Sequence, residues 1–203
     1  MKTPTIVAMD LEGVLVPEIW IAFAEKTGIP ELRLTTRDVA DYDELMRYRL
    51  KILKEHSLKL QDIQEVIATL KPLPGAKEYM DWLAPRFPNV ILSDTFYQFA
   101  SPLMRQLNDP TLFCNTLEVD DAGNVVGYKM RQNNGKRHAA LAFKQLNFKL
   151  IAMGDSFNDT AMLAEADLGI LFRPSDKVRQ QFPNFPVATE YSQIIQMIEH
   201  FDA

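Results

Sequence analysis

The 203-residue sequence predicts an α/β fold around a parallel sheet, interrupted early by a helical insertion. Two observations carry this. Short β-branched and apolar runs recur between longer segments of helical spacing, and the stretch after the first run holds three helical patterns in succession with no strand between them.

TIVAM, residues 5–9, is the first predicted strand. From about Pro17 to Leu70, WIAFAEKTG, DYDELMRYRLKILKEH and LQDIQEVIATL read as amphipathic helices, which makes 17–70 the insertion and 1–16 with 71–203 the main domain. KPLPG, residues 71–75, is the return linker, because its prolines end one helix and start the next. PGAKEYMDWLAPRF then supplies a helix and NVILS, ending at Ser93, a strand. FCNTLEVDDAGNVVGYKM alternates on both sides of DDAGN and predicts a β-hairpin with a glycine-containing turn. KLIAMG before Asp155 and LGILF from Leu168 are further strands, separated by the helix-forming TAMLAEA.

A composition of 47% hydrophobic and 24% charged residues is that of a soluble globular domain. No run approaches the roughly eighteen apolar residues of a membrane span, and the N-terminal MKTPTIVAMD lacks the basic and apolar regions of a secretion signal. A cytoplasmic protein is the expectation. A net charge of -5 with scattered Lys and Arg argues against a nucleic-acid face, although local basic side chains could receive a small anion. Cys114 is the sole cysteine and reads as a small buried hydrophobe, while His56, His138 and His200 lack metal-ligand spacing.

In an open parallel sheet ligands gather beyond the carboxyl ends of the strands. Three predicted strands deliver polar residues there: Asp10 and Glu12 after TIVAM, Ser93 and Asp94 after NVIL, and Gly154, Asp155, Asn158 and Asp159 after KLIAM. Any one of these could be an ordinary strand end or helix cap. Together they are several carboxylates on one rim, which a divalent cation would hold ionised. Hard oxygen donors suggest Mg²⁺, with Asp10 and Asp155 as direct ligands and Asp159 acting through water. A carboxylate placed in line with phosphorus can act as nucleophile, and the charge that develops calls for a cation and a hydrogen-bond donor. Lys136 and Ser93 suit those roles, though Lys136 alone also reads as a surface lysine.

VAMDLEGVLV, VILSDT, Lys136 within NNGKRHAAL, and AMGDSFND, in this order, resemble the four motifs of the haloacid dehalogenase superfamily of phosphotransferases. The resemblance implies a Rossmannoid three-layer core with a small α-helical cap of the first type, which is where the insertion lies. It also implies a nucleophile at Asp10, a phosphate-binding Ser93 and Lys136, and metal acids at Asp155 and Asp159. Glu12 stands where the family usually has an acid/base Asp, and its backbone carbonyl is the position of a further metal ligand. The Asn-Asp-Thr triplet at Asn158 also matches a glycosylation site, taken as accidental.

Within the superfamily VLVPEIW, Arg49, SDTF and GDSFND are most similar to the phosphoserine phosphatases, and to their variant that also transfers phosphate to homoserine. The resemblance implies that Glu18 holds the substrate ammonium and Arg49 its carboxylate, with Asp94 and Asn158 also at the substrate. A guanidinium suits a carboxylate through two parallel bonds. Arg49 has Leu45, Met46, Ile52 and Leu53 at helical spacing and no local acid, so its charge is either free for a ligand or merely snorkels to water. Arg47, with Asp43 and Glu44 nearby, reads as a surface ion-pair partner. Asp94 and Thr95 replace two glycines common in simple phosphoserine phosphatases, which favours homoserine as an alternative acceptor to water. The competing expectation is a phosphatase of the same superfamily acting on a sugar or nucleotide.

Overall fold

The computed structural model describes residues 3–35, 38–39 and 41–203; residues 1 and 2 of the predicted main domain and 36, 37 and 40 of the predicted insertion lie outside the described residues. At the centre of the sheet, β1 (Thr5–Met9) runs parallel to β2 (Asn89–Phe96) on one side and β5 (Lys149–Gly154) on the other. Beyond β2 lie β3 (Leu112–Val119), parallel, and β4 (Val125–Lys129), antiparallel to β3 as the hairpin pattern predicts. Beyond β5 lie β6 (Leu168–Phe172) and the short β7 (Val187–Ala188), both parallel.

Every residue of β1 is buried, as expected for a central strand covered on both faces. Alternate side chains divide between two cores. Val7, Met9, Ile91, Ile151 and Met153 enter one, and Ile6, Ala8, Val90, Leu150 and Ala152 the other. The first core is covered by α4 (Ala76–Leu83), α5 (Tyr97–Gln106) and α9 (Tyr191–Asp202), the second by α6 (Gly135–Gln145), α7 (Thr160–Glu165) and α8 (Asp176–Gln181). The result is three layers.

The insertion consists of α1 (Ile19–Thr27), a 3₁₀ turn at Pro30–Arg33, α2 (Tyr42–Glu55) and α3 (Leu60–Thr69). Gly28 ends α1 in the left-handed conformation, with φ 69°, that residues other than glycine rarely adopt. Asp41 caps α2 by accepting from the Glu44 amide at 2.9 Å. In α2 the buried residues are Leu45, Met46, Arg49, Ile52 and Leu53, one stripe at three- and four-residue spacing. Residues of all three helices join the first core, where Trp20 meets Phe99 of α5 edge-on at 5.4 Å. The Leu73 amide bonds the Leu15 carbonyl at 2.8 Å, so the chain leaves and re-enters the main body at adjacent points.

The chain passes from β1 to β2 on one side and later returns to β5 on the other, which opens a crevice beyond the carboxyl ends of β1 and β5. β2 does not stop at Ser93 as its apolar run predicts. It continues to Phe96 with a register shift: Leu92 pairs with Phe113 and Phe96 with Asn115, so Ser93, Asp94 and Thr95 stand opposite Cys114 alone. That bulge lifts polar residues out of the ladder and over the crevice.

Candidate active site

Asp10 follows β1 directly, and its amide extends the ladder by bonding the Met153 carbonyl at 3.0 Å. Asp155 and Asp159 follow β5. One oxygen from each of the three carboxylates can be chosen so that all lie within 4.8 Å of one another. Asp159 is wholly buried, and its Oδ2 accepts from the backbone amides of Asp155 at 3.0 Å and Ser156 at 3.1 Å. The turn that carries it is thus pinned by the acid it presents. Two glycines make room. A Cβ on Gly154 would lie 2.3 Å from Cβ of Asp159, and one on Gly13, whose φ is +77°, would lie 2.6 Å from Asp155 Oδ2.

Lys136 is 4% exposed, so the surface alternative for it is wrong. Its ammonium lies 2.9 Å from Asp10 Oδ1, 2.7 Å from Asp159 Oδ1 and 3.7 Å from Asp94 Oδ2. Burial alone would pull this ammonium down, but Asp10, Asp159 and Asp94 outweigh it and hold Lys136 well above the ordinary lysine value. Asp10 is pushed up by burial and by Asp159 and Asp155, against the opposing pull of Lys136. One ammonium among three close carboxylates leaves the cluster short of positive charge. Three hard oxygen donors around such a deficit fit a divalent cation.

Ser93 is buried on the bulge, its Oγ accepting from the Thr95 amide at 3.2 Å. Asp94 reaches further out, where Asn158 Nδ2 donates to its Oδ2 at 3.0 Å. The Glu12 carboxylate does not join the three clustered acids: its Oε2 accepts from the Ile19 amide at 3.0 Å, at the start of α1. Of the metal acids expected from the sequence, the Glu12 side chain is thus the one outside the cluster. Burial, followed by the nearby Glu18 carboxylate, raises the Glu12 carboxyl from 4.5 to about 7.

Arg49 is 6% exposed, which excludes snorkelling to water. Its guanidinium lies over the Trp20 ring at 4.4 Å, and Nη2 donates to the Leu34 carbonyl at 2.8 Å. Nε is buried without a hydrogen-bond partner among the described residues. Burial lowers the guanidinium from 12.5 to about 10, with Tyr42, Glu12 and Glu18 opposing. Arg47 departs from its expected ion pairing, since its Nε donates to the Asp43 carbonyl while the Asp43 carboxylate takes the Tyr128 hydroxyl.

A single cavity of about 760 Å³ brings Asp10, Glu12, Glu18, Arg49, Ser93, Asp94, Lys136, Asp155 and Asn158 together. Asp159 lies behind it, touching Lys136. The sequence reading missed Trp20 and Asn115, whereas Thr95, singled out with Asp94, does line the cavity. Asn115 follows the apolar Leu112–Cys114 run yet is buried, and Trp20 had no signal beyond proximity to a motif. Among the described residues no helix is long and apolar enough to cross a membrane.

Comparison with known proteins agrees with this geometry. The profile of the haloacid dehalogenase-like hydrolases matches residues 4–167. The phosphoserine phosphatase ThrH of Pseudomonas aeruginosa is 62% identical over 93% of this chain and 92% of its own length. The phosphoserine phosphatase of Pseudomonas syringae pv. tomato is 61% identical over 93% of this chain and 80% of its own. A substrate-bound phosphoserine phosphatase structure shares the fold with a TM-score of 0.77 at 18% identity, covering 97% of this chain and 99% of that one. The phospho-aspartyl intermediate analogue of a phosphoserine phosphatase does so with the same TM-score at 20% identity, again over 97% and 99%. The four motifs, the three-layer architecture and these relatives converge: the chain belongs to the haloacid dehalogenase-like hydrolase family.

Proposed function

We propose that this enzyme hydrolyses O-phospho-L-serine to L-serine and phosphate through a phosphoryl group carried on Asp10, with residues 17–70 acting as a cap over a core of 1–16 and 71–203. The observation that carries the proposal is the shared cavity, which is lined by Asp10, Ser93 and Lys136 and also by Glu18 and a buried Arg49 guanidinium whose Nε has no partner among the described residues. A phosphorylated amino acid has the complementary groups, a phosphate for the first set and a carboxylate and ammonium for the second. The names of the Pseudomonas relatives support the same substrate.

Asp10, Asp155, Asp159 and the Glu12 carbonyl would hold Mg²⁺, which when bound offsets the negative charge of phosphate and carboxylates. The Asp10 carboxylate is oriented through Oδ1, which accepts from the Leu11 amide at 2.7 Å and faces Lys136. As Asp10 forms its bond to phosphorus, the ester P–O bond breaks and Glu12 gives its proton to the departing serine oxygen. Ser93 and Lys136 hold the phosphoryl oxygens. Glu12, now a carboxylate, takes a proton from water, whose oxygen attacks phosphorus and frees Asp10. A group with its pKa near 7 can serve in both directions at neutral pH.

The hydroxyl of homoserine could replace that water, since it brings the same ammonium and carboxylate to Glu18 and Arg49. The Asp94 and Thr95 side chains at the rim, where simple phosphatases have glycines, favour this second outcome. The test is phosphate release in Mg²⁺ from phosphoserine against a sugar phosphate and a nucleoside monophosphate, repeated with homoserine. Phosphoserine should be preferred by at least about tenfold, and homoserine should lower free phosphate per serine released as phosphohomoserine appears. Equal turnover of all three substrates would overturn the substrate assignment, and one phosphate per serine at saturating homoserine would overturn transfer.

A further inference from the structure

We propose that Tyr42 is a positioning residue whose hydroxyl couples the helix bearing Arg49 to the phosphate-binding bulge, an inference that rests on the phosphoserine reading above. Tyr42 is the first residue of α2, and its hydroxyl donates to the Asp94 carbonyl at 3.1 Å across 52 residues of chain. That carbonyl also accepts from Asn115 Nδ2 at 3.0 Å. Asn115 is 4% exposed, and its Oδ1 accepts from the Arg131 amide at 2.9 Å, on the segment leading to Lys136. One carbonyl therefore joins the insertion, the bulge bearing Ser93, and the approach to Lys136.

Register makes this junction available. A carbonyl in an unbroken ladder is occupied by the neighbouring strand, whereas Asp94 lies inside the shift between Leu92 and Phe96. Helical geometry then carries the constraint to the substrate. Arg49 lies seven residues beyond Tyr42, two turns along nearly the same helix face, and Tyr42, Leu45 and Arg49 line the cavity together. α2 cannot lift or roll Arg49 away from the bulge without breaking the Tyr42 bond. The distance between the group that reads the carboxylate and the hydroxyl that receives the phosphate is thereby held.

The ring is fixed independently of its hydroxyl. It packs edge-on against Tyr128 at 5.8 Å, and Tyr128 in turn packs against Phe96 at 6.2 Å. Tyr42→Phe consequently removes the coupling bond while keeping the packing. The insertion keeps other footings on the hairpin, from the Leu60 amide to the Gly123 carbonyl at 3.0 Å and from the Tyr128 hydroxyl to the Asp43 carboxylate.

The experiment uses the full chain with Tyr42→Phe, Arg49→Ala and the double variant, assayed on phosphoserine and on phenyl phosphate, which has neither carboxylate nor ammonium. Tyr42→Phe should lower kcat/KM for phosphoserine about fivefold, mainly through KM, the scale of one net hydrogen bond, and at least about threefold more than for phenyl phosphate. The double variant should lose little beyond Arg49→Ala on phosphoserine, because both changes disable the same reading. Amide exchange across residues 42–55 should quicken in Tyr42→Phe relative to the central strands. Equal losses on the two substrates, or losses that multiply in the double variant, would overturn the coupling. Unchanged exchange in α2 would overturn it whatever the substrate, while a wild type inactive on phosphoserine overturns the substrate reading alone.

Discussion

Lys136 and Arg49 are both buried cations, and their surroundings separate them. Lys136 has carboxylate oxygens of Asp10 and Asp159 within 2.9 Å, so its charge is already matched. Arg49 has a tryptophan face, a backbone carbonyl, the Met46 sulfur and an Nε without a partner among the described residues, which is the arrangement of a charge awaiting a ligand. Arg49→Ala should therefore lower kcat/KM for phosphoserine by at least about tenfold more than for phenyl phosphate, since charge-assisted hydrogen bonds contribute about 1.5–3 kcal/mol each. A paired steady-state assay of both esters checks this. Glu12 makes a prediction about stability. Its folded-state pKa of about 7 lies above the ordinary 4.5, so the cation-free folded protein binds this proton more tightly than the unfolded chain. The stabilisation is complete below about 4.5 and is lost as pH rises through about 7. Thermal melts in chelator should fall across that window in the wild type by more than in Glu12→Gln. Parallel pH dependences in the two proteins would place the Glu12 carboxyl in an ordinary environment.

At the scale of elements, strands were legible wherever a run was both apolar and β-branched, because a strand buried on both faces has no polar side to blur the pattern. The three inserted helices were legible for the opposite reason: each has one wet face. No element was assigned to 97–106, where Ser101 and Pro102 interrupt the periodicity, yet α5 runs through them. Pro102 cannot donate to the Gln98 carbonyl four residues back, and that carbonyl instead accepts from Gln64 Nε2 of α3 at 2.9 Å. The partner comes from 34 residues away, which no local pattern reports. Gln64→Ala should destabilise the protein by about 1 kcal/mol, and by less in a Pro102→Ala background, where residue 102 regains its amide. A double-mutant cycle from denaturant melts measures the difference. The motif acids were legible from their places after strands, whereas the reach of Ser93 and Asp94 depended on the bulge, a tertiary pairing of β2 with β3.

For the whole molecule, one apolar core runs from beneath the sheet into the insertion, so the proposed cap and the catalytic rim share their packing. The sheet places its crevice at β1 and β5, and the two strands lead directly into Asp10 and Asp155, which is why the topology and the acids point to one site. Asp10 is the atom-level centre of the account, flanked by Lys136 and clustered with the carboxylates of Asp155 and Asp159, with the proposed proton exchange assigned to Glu12. The most direct measurement is peptide mass analysis of enzyme quenched in acid during turnover of phosphoserine with Mg²⁺. A phosphoryl group should appear on the peptide containing Asp10, decay when substrate is exhausted, and be absent in Asp10→Asn, which should also release no phosphate. Turnover by Asp10→Asn within about tenfold of wild type, or a phosphoryl group found on another residue, would contradict the mechanism.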